Sequence, residues 1–319
     1  MELISVVVPC YNEEESLPLF YDEIIRVSDK MKAEKGTEFE FVFVNDGSRD
    51  KTLEKLRELS ERDKRVRYVS FSRNFGKESA MIAGLEHAVG DYVVLLDADL
   101  QHPPRLIPEM YDYVSSGEYD CAATRRISRK GEPKLLSFFA NSFYGIINKI
   151  SQTQIISGAQ DFRFMTRQMV DAIISMSEYN RFSKGIFSWV GFKTKFIEIE
   201  NTERAAGTTT WNFKKLFLYS LDGIMGFSTA PLALSLFLGI FSCIIAAVIF
   251  IVTLVQFFSM GIALGRFANI VSLILLMSGL CLICTGINGL YLSKTYMEVK
   301  CRPKYIVKET EKTERGKKQ

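Results

Sequence analysis

Two acidic side chains, Asp97 and Asp99, follow an apolar run that ends at Leu96. Carboxylates at alternate positions beyond a strand offer hard oxygen ligands to one pocket, and Mg²⁺ and Mn²⁺ prefer such ligands together with water and phosphate oxygens. Gln101, two residues further on, adds a neutral oxygen. The spacing therefore predicts a divalent-metal site at Asp97, Asp99 and Gln101. Acidic residues also start loops and cap helices, which is the structural alternative here.

The elements that must position these side chains are short apolar runs that alternate with helix-like stretches. The runs cover residues 3–8, 39–44, 66–71 and 92–96, and helical periodicity covers 14–35, 52–62 and 79–88. Such alternation predicts parallel strands joined by right-handed crossovers. We therefore expect an α/β catalytic domain with a Rossmann-like, mostly parallel sheet, whose ligands bind beyond the carboxyl ends of the strands.

Polar residues after the first three runs favour a nucleotide pocket at that edge. Tyr11 could stack on a nucleobase, Asp46 could accept a hydrogen bond from it, and Glu13 could reach the ribose. The structural alternatives are a capped helix start for the run Asn12-Glu13-Glu14 and an Asx turn for Asp46. Lys77 could bind a phosphate, or it could be a solvated surface lysine.

Two long stretches without charge occupy the carboxyl-terminal third of the chain. No charged residue occurs from Gly223 to Gly265 or from Phe267 to Ser293, and each stretch is long enough to span a bilayer. We predict transmembrane helices over about 231–258 and 267–293. The loop between them carries only Arg266, whereas lysines and arginines flank the outer ends, so the positive-inside rule places both termini in the cytoplasm. Two buried core helices are the alternative.

Composition divides the 319-residue chain into four segments. We expect a cytoplasmic catalytic domain over 1–212, an amphipathic helix at the membrane interface over 213–228, and a two-helix transmembrane hairpin over 229–294. Residues 295–319 form a basic, partly disordered tail in this scheme. The formal net charge of +3 is too small to indicate nucleic-acid binding, so the expected partner is the cell membrane.

Four motifs taken together resemble the inverting family 2 glycosyltransferases of the GT-A fold. They are Pro9-x-Tyr11-Asn12-Glu13, Asn45-Asp46-Gly47-Ser48, Arg73-Asn74-Phe75-Gly76-Lys77 and Asp97-Ala98-Asp99-Leu100-Gln101-His102-Pro103-Pro104. More narrowly, the chain is similar to the polyprenyl-phosphate branch, which contains dolichyl-phosphate mannose synthases and bacterial undecaprenyl-phosphate glucosyl or N-acetylglucosaminyl transferases. The resemblance covers about the first two hundred and fifteen residues, and the hairpin is similar to that of the bacterial subset.

The resemblance implies roles for individual residues. The nucleotide sugar would be bound by Pro9, Tyr11, Asn12, Glu13, Val44, Asp46, Lys77, Asp97 and Ala98. Mg²⁺ or Mn²⁺ would be bound by Asp97, Asp99 and Gln101. Catalysis would depend on Asp99, on Asp161 near the reacting sugar, and on Arg204. In the family's R-x-x-G-x-S-K loop this chain has Thr210 in place of the lysine, so Arg204 would carry more of the phosphate binding.

The acceptor implied by the resemblance is a polyprenyl phosphate. A phosphate monoester has its second pKa at about 6, so it is largely a dianion at neutral pH and needs no base to activate it. We therefore assign no catalytic role to His87 or His102. Cationic side chains must instead hold the acceptor beside the donor diphosphate, and the candidates are Arg125, Arg126 and Arg129. A solvated basic surface is the alternative for these three arginines.

The resulting hypothesis is inverting transfer of a single sugar from a nucleotide sugar, with a UDP-sugar favoured, to undecaprenyl or another polyprenyl phosphate at the cytoplasmic face. Glucose and N-acetylglucosamine are the favoured sugars, and the lipid-linked product would supply cell-envelope glycosylation. Mannosyl transfer from GDP-mannose, a processive polysaccharide synthase and an inactive nucleotide-sugar-binding scaffold are the alternatives. A synthase would carry a Q-x-x-R-W motif, which is absent. A homo-oligomer and a separate flippase are further partners left open.

Overall fold

The computed structural model describes residues 1–126, 145, 147–151, 153, 155–199, 223–260 and 267–313. Several sequence-based candidates lie outside these residues: Arg129, Arg204, Thr210, Arg266 and the greater part of the segment 213–228. The described residues form an α/β domain followed by two long helices, which confirms the expected fold class.

An eight-stranded mixed sheet forms the centre of the α/β domain. Its strands are β1 (Leu3–Cys10), β2 (Glu38–Asn45), β3 (Val66–Phe71), β4 (Tyr92–Leu95), β5 (Cys121–Arg126), β6 (Ala159–Thr166), β7 (Thr194–Ile199) and β8 (Val307–Thr310). The spatial order is β7-β5-β6-β4-β1-β2-β3-β8. Strands β4, β1, β2 and β3 are mutually parallel, whereas β6 and β8 run antiparallel to their neighbours.

Helices cover both faces of the sheet. They are α1 (Ser16–Lys35), α2 (Thr52–Arg62), α3 (Lys77–His87), α4 (Ile107–Ser115), α5 (Arg167–Ser175) and α6 (Ser183–Trp189). Because both faces are covered, central strands are apolar along their length instead of alternating, and Ile4, Val6 and Val7 of β1 are all buried. Helix α3 lies so close to β1 that a Cβ atom on Gly84 would stand 2.2 Å from Cγ1 of Val7, and only glycine allows this approach.

The chain order reverses between β1 and β4. Strand β2 follows β1 on one side and β4 joins it on the other, so the loops after β1 and β4 separate at the carboxyl edge. In sheets of this type a ligand crevice forms at such a switch point. Antiparallel β6 brings its first residues to the same edge, because it pairs with β4 through Leu95 and Arg163.

Two helices, α7 (Ala230–Met260) and α8 (Phe267–Val299), are long and apolar enough to cross a membrane. In their most apolar parts, Ala230–Ile249 and Leu276–Val299, only 6% and 0% of the residues are buried. A core helix of a soluble protein would be mostly buried, so this exposure argues against the alternative of buried core helices. Helix α8 extends past the predicted end at residue 293 and reaches the α/β domain.

Residues 307–313 have defined structure within the 295–319 segment that we expected to be partly disordered. Val307–Thr310 forms β8 on the edge of β3, and the Glu309 carboxylate accepts hydrogen bonds from the Arg57 guanidinium at 2.7–2.9 Å. Glu311 is buried beside Arg67. The physical reason is that β3 would otherwise present unpaired backbone groups, which β8 satisfies while two acidic side chains meet two arginines of the domain.

Candidate active site

The loops after β2 and β3 pack directly against each other. Gly47 has a φ of +63°, and a Cβ atom there would lie 2.3 Å from the carbonyl carbon of Arg73. Glycine is therefore required both by the backbone conformation and by the close approach. This contact explains why the motifs Asn45–Ser48 and Arg73–Lys77 occur together in one chain.

Asp46 fixes the loop that precedes α3. Its carboxylate accepts hydrogen bonds from the backbone N–H groups of Phe75, at 2.6 Å, and Gly76, at 2.9 Å. Burial raises the pKa of Asp46, although these hydrogen bonds and Arg73 act in the opposite direction. The turn role that we considered for Asp46 belongs to Asn45, whose side chain accepts from the N–H of Ser48 at 3.1 Å. Binding of a nucleobase by Asp46 stays a prediction.

Asn12 and Glu14 brace the loop after β1 against the loop after β2. Asn12 has a φ of +57°, and its side-chain oxygen accepts from the N–H of Arg49 at 2.9 Å. Glu14 accepts from the N–H of Lys51 at 2.9 Å. Helix α1 begins only at Ser16 and has no side-chain cap, so these residues do not form the capped helix start that was the alternative.

The remaining nucleotide candidates lie at the same edge. Tyr11 is exposed beyond β1, where its ring is accessible for stacking. Pro9 pairs in register with Val44, and the Val44 side chain is fully buried. Ala98 is also buried, between the two acidic residues of the metal motif. Val44 and Ala98 are therefore core residues at this edge, whereas Tyr11 is accessible. Contact of these three residues with a nucleotide stays a prediction.

Lys77 joins two of the predicted acidic residues. Its ammonium nitrogen lies 2.8 Å from the carboxylate of Asp97 and 2.8 Å from that of Asp161. The three residues come from the start of α3, the loop after β4 and the start of β6, at sequence separations of 20 and 84. The fold thus assembles one charged cluster from three distant segments of the chain.

Lys77 and Asp161 are held in their charged forms at neutral pH. Burial alone would lower the pKa of Lys77, but Asp161 and Asp97 more than compensate and raise it above its ordinary value. Burial would likewise raise the pKa of Asp161, whereas the Lys77 ammonium lowers it well below its ordinary value. Two carboxylates against one ammonium leave a net charge of −1, and Asp99 nearby adds a further negative charge. The cluster therefore favours a second cation.

Asp97, Asp99 and Gln101 fit a divalent cation that is bound chiefly through its substrate. The carboxylate of Asp99 accepts from the N–H of Gln101 at 3.1 Å, which holds the turn. The described residues contain no group of three or more His, Cys, Asp or Glu side chains placed to bind a metal by themselves. Mg²⁺ commonly binds through one or two carboxylates plus water and phosphate oxygens, and the present residues match that mode. The Lys77 ammonium shows that this cluster already accommodates a positive charge.

His102 is a neighbour of this cluster to which we assigned no role from the sequence. Its ring is buried, its Nδ1 atom lies 3.9 Å from the Asp97 carboxylate, and it packs on Phe162 with ring centroids 5.7 Å apart. Burial lowers the pKa of His102, so the imidazole is neutral. The sequence feature that could have indicated this location is the position of His102 inside the Asp97–Pro104 motif. Its Nδ1 atom has no hydrogen-bond partner among the described residues, so the neutral ring lies beside Asp97 without adding charge.

Arg125 and Arg126 end strand β5 at the same edge as the acidic cluster. Arg125 pairs with Ala159, two residues before Asp161 on β6. Gly158, with a φ of +80°, makes the turn onto β6 that allows this pairing. Two of the three arginines predicted to bind the acceptor phosphate are therefore near the predicted catalytic carboxylate. Their binding of the acceptor stays a prediction.

The mixed sheet, its switch point and the acidic loop after β4 define a glycosyltransferase domain of the GT-A fold. The chain belongs to glycosyl transferase family 2, because the model of that family matches residues 5–174.

Relatives match over nearly the whole chain. The prophage bactoprenol glucosyl transferase homolog of Escherichia coli (strain K12) is 40% identical over 312 residues, which cover 97% of this chain and 99% of that protein. The bactoprenol glucosyl transferase of Shigella phage SfII is 39% identical over 307 residues, with coverage of 96% and 98%. The crystal structure of Mycobacterium tuberculosis glucosyl-3-phosphoglycerate synthase with Mn²⁺, UDP-glucose and phosphoglyceric acid is 18% identical. It covers 70% of this chain and 78% of that one at a TM-score of 0.44, a loose similarity.

Proposed function

We propose that this protein transfers one glucose residue from UDP-glucose to a polyprenyl phosphate at the cytoplasmic face of the membrane, with inversion at the anomeric carbon. The observation that carries the proposal is the cluster in which Lys77 contacts both Asp97 and Asp161 beside Asp99. Two relatives that align over 96–97% of this chain are named for glucosyl transfer involving bactoprenol, which supports glucose and a polyprenyl acceptor.

The donor half of the site would bind the nucleoside diphosphate. Tyr11 and the loop held by Asp46 would contact the nucleoside, and Lys77 would exchange one of its carboxylate partners for a phosphate oxygen. Asp97, Asp99 and Gln101 would hold Mg²⁺ or Mn²⁺ there. When bound, that cation neutralises the charge that develops on the leaving diphosphate.

The acceptor half of the site must hold a second anion next to the first. The acceptor phosphate oxygen attacks the anomeric carbon, a new carbon–oxygen bond forms, and the bond to the diphosphate breaks with its electron pair going to the leaving group. Arg125 and Arg126 would hold the attacking phosphate close to Asp161. Because the phosphate is already ionised, the step requires no proton acceptor.

The two apolar helices would place this reaction at a lipid surface. Helices α7 and α8 have the length and composition of membrane spans and expose their apolar side chains. With basic residues concentrated outside the loop between the helices, the positive-inside rule favours a cytoplasmic catalytic domain. A polyprenyl acceptor would then approach the site laterally from the inner leaflet.

The test is a reconstituted transfer reaction with the full chain. Purified protein in detergent is incubated with undecaprenyl phosphate, Mg²⁺ and an equimolar mixture of UDP-glucose, UDP-N-acetylglucosamine and GDP-mannose, and the lipid products are identified by mass spectrometry. We expect a hexosyl lipid whose formation requires UDP-glucose. An N-acetylhexosaminyl product, or a hexosyl product that requires GDP-mannose, would overturn the choice of sugar.

Two variants separate catalysis from folding in this assay. Asp99→Asn removes a predicted metal ligand, and we expect product formation to fall by at least about a hundredfold, or roughly 2.7 kcal/mol in the barrier. Asp171→Asn is the matched control, because Asp171 is exposed and contacts only Arg167 within the described ion pairs. Absence of any lipid product from the wild-type protein, or unaltered turnover in Asp99→Asn, would refute the proposed function.

A further inference from the structure

A cavity of about 250 Å³ borders the Arg73–Lys77 loop. Its polar lining comes from Arg73, Glu78, Ser79, Asn180, Arg181 and Lys304. These residues belong to the loop after β3, the start of α3, the segment before α6 and the chain between α8 and β8. Apart from Arg73, which belongs to the loop that Asp46 holds, none of them is among the residues that we place in the transfer reaction.

Positive charge predominates in the cavity wall. Arg73, Arg181 and Lys304 face one acidic residue, Glu78, whose carboxylate accepts from the backbone N–H of Ser183 at 3.2 Å and from its hydroxyl group. Among the residues that line the cavity, three cations against one carboxylate leave a formal excess of two positive charges. Glu86, Glu178 and Glu298 also act on Arg181 or Lys304 but do not line the cavity. An anion would therefore be attracted to this cavity.

The three cations are held in place by neutral groups. Arg181 donates to the carbonyl oxygens of Met176, at 2.7 Å, and Ile173, at 3.2 Å, and Lys304 also donates to Met176, at 3.1 Å. Within the described part of the chain, none of the three cations has a carboxylate within the 4.0 Å of an ion pair. Their positions are thus fixed while their charges are not neutralised by a direct ion pair.

Two of the nearby acidic side chains, Glu86 and Glu298, are engaged with other donors, while Glu178 acts on both Arg181 and Lys304. Glu86 accepts from the hydroxyl of Tyr305, and Glu298 accepts from the backbone N–H groups of Tyr179 and Asn180 at 3.0 and 3.2 Å. Burial lowers the pKa of Lys304, and the Arg181 cation lowers it further, while burial also lowers the pKa of Arg181. Burial is the main cause of both shifts, and the nearby glutamates only partly compensate for it.

The cavity lies where the apolar helix α8 meets the α/β domain. Glu298 and Lys294, at the end of α8, contact the segment that lines the cavity, since Lys294 donates to the side chain of Asn180 at 3.3 Å. The membrane-type part of α8 ends at Val299. Under the membrane placement proposed above, on which this step depends, the cavity opens at the level of the lipid headgroups.

We propose that this cavity binds the phosphate headgroup of an anionic membrane lipid. Its volume lies below the range of about 300–1,000 Å³ of pockets that enclose drug-sized ligands, which favours a phosphate with its ester oxygens over a nucleotide sugar. Arginine and lysine side chains are the usual partners of phosphate oxygens. Free phosphate has the same chemistry, but the position beside α8 favours a phosphate presented by a lipid. The site is additional to the transfer reaction.

The experiment measures lipid retention on the full chain by native mass spectrometry in a neutral detergent. The protein is titrated in parallel with phosphatidylglycerol, phosphatidylcholine and inorganic phosphate. We expect retention of phosphatidylglycerol with at least about tenfold higher affinity than either of the others, because the choline cation opposes the site and free phosphate lacks the apolar chains. Equal affinity for the two lipids, or free phosphate binding as tightly as phosphatidylglycerol, would overturn the proposal.

Charge-removing variants locate the site. Lys304→Gln should weaken phosphatidylglycerol binding about tenfold or more, as expected for loss of a hydrogen bond to an ionised group. Lys300→Gln is the matched control, since Lys300 also follows the apolar part of α8 but lies over the ring of Tyr296, at 4.1 Å from its centroid, outside the cavity. Arg181→Gln serves as a second variant once its melting temperature has been checked. Equal losses in Lys304→Gln and Lys300→Gln would show general surface attraction and refute the site.

This readout needs no turnover. A negative result in the glucosyl-transfer assay therefore leaves the lipid-retention measurement interpretable. Conversely, if a protein that is active in the transfer assay does not retain phosphatidylglycerol, only the headgroup site is refuted.

Discussion

Replacing Lys77 with glutamine tests the charged cluster directly. The ammonium nitrogen of Lys77 contacts Asp97 and Asp161 at 2.8 Å each. With charge centres about 4 Å apart and an effective dielectric constant of about 20, each pair attracts by about 4 kcal/mol before screening and desolvation are counted. The Lys77 side chain is 41% exposed, so most of this attraction is lost to solvent. We expect a net destabilisation of about 2 kcal/mol in Lys77→Gln at pH 7.

The pH dependence of this effect has a defined sign. The folded-state pKa of Asp161 is lowered, so its contribution to stability is present above the unfolded pKa of about 3.9 and is lost as the pH falls through the folded value. The folded-state pKa of Lys77 is raised, so its contribution is present below the unfolded pKa of about 10.4 and is lost as the pH rises through the folded value. The difference between wild type and variant should therefore be largest between about pH 4 and pH 10.

The assay is thermal unfolding of the detergent-solubilised full chain without divalent cations. A loss of about 2 kcal/mol corresponds to a melting temperature lower by roughly 4–8 °C for a domain of this size. Lys30→Gln is the control, because its pair with Glu34 is exposed and 3.8 Å long, and should change stability by less than about 0.5 kcal/mol. If Lys77→Gln melts at the wild-type temperature throughout this pH range, the assignment of a stabilising ion-paired cluster is wrong.

Three further predictions concern the loops, the tail and the metal. Gly47→Ala should destabilise the domain by at least about 2 kcal/mol and weaken UDP binding in calorimetry, because a Cβ atom would stand 2.3 Å from the Arg73 backbone at a φ of +63°; a wild-type melting curve would contradict this. Glu309→Gln should cost about 1–3 kcal/mol by breaking the paired hydrogen bonds to Arg57, and limited proteolysis should then cut the tail faster. EDTA should abolish glucosyl transfer and Mn²⁺ or Mg²⁺ should restore it, whereas turnover that persists in EDTA would rule out the metal assignment.

The central strands could be predicted from the sequence because each is a short apolar run bounded by polar loops. The predicted bounds of β3 and α2, 66–71 and 52–62, agree with the structure. Both elements are specified by local pattern, with turn residues on either side. The position of Asp97 and Asp99 beyond β4 followed from the same argument, since parallel strands present their carboxyl ends at one edge.

Features that depend on contacts between distant residues could not be predicted in this way. The pairing of Arg57 with Glu309 spans 252 residues, and nothing in the local composition of the charged tail distinguishes a strand from disorder. Likewise, the contact of Lys77 with Asp161 spans 84 residues and depends on antiparallel β6 lying beside β4. The sequence identified Lys77 and Asp161 as candidate site residues, but it did not show that their side chains would be in contact.

Strand β8 has a consequence for how the protein is made. It follows α7 and α8 in the chain, so a ribosome releases it only after both apolar helices have been synthesised. Until then the outer edge of β3 has no partner on that side, and its backbone groups are open to pairing with other chains. Completion of the sheet therefore waits for synthesis of both apolar helices, and a chain that stalls before that point keeps a sheet edge prone to aggregation.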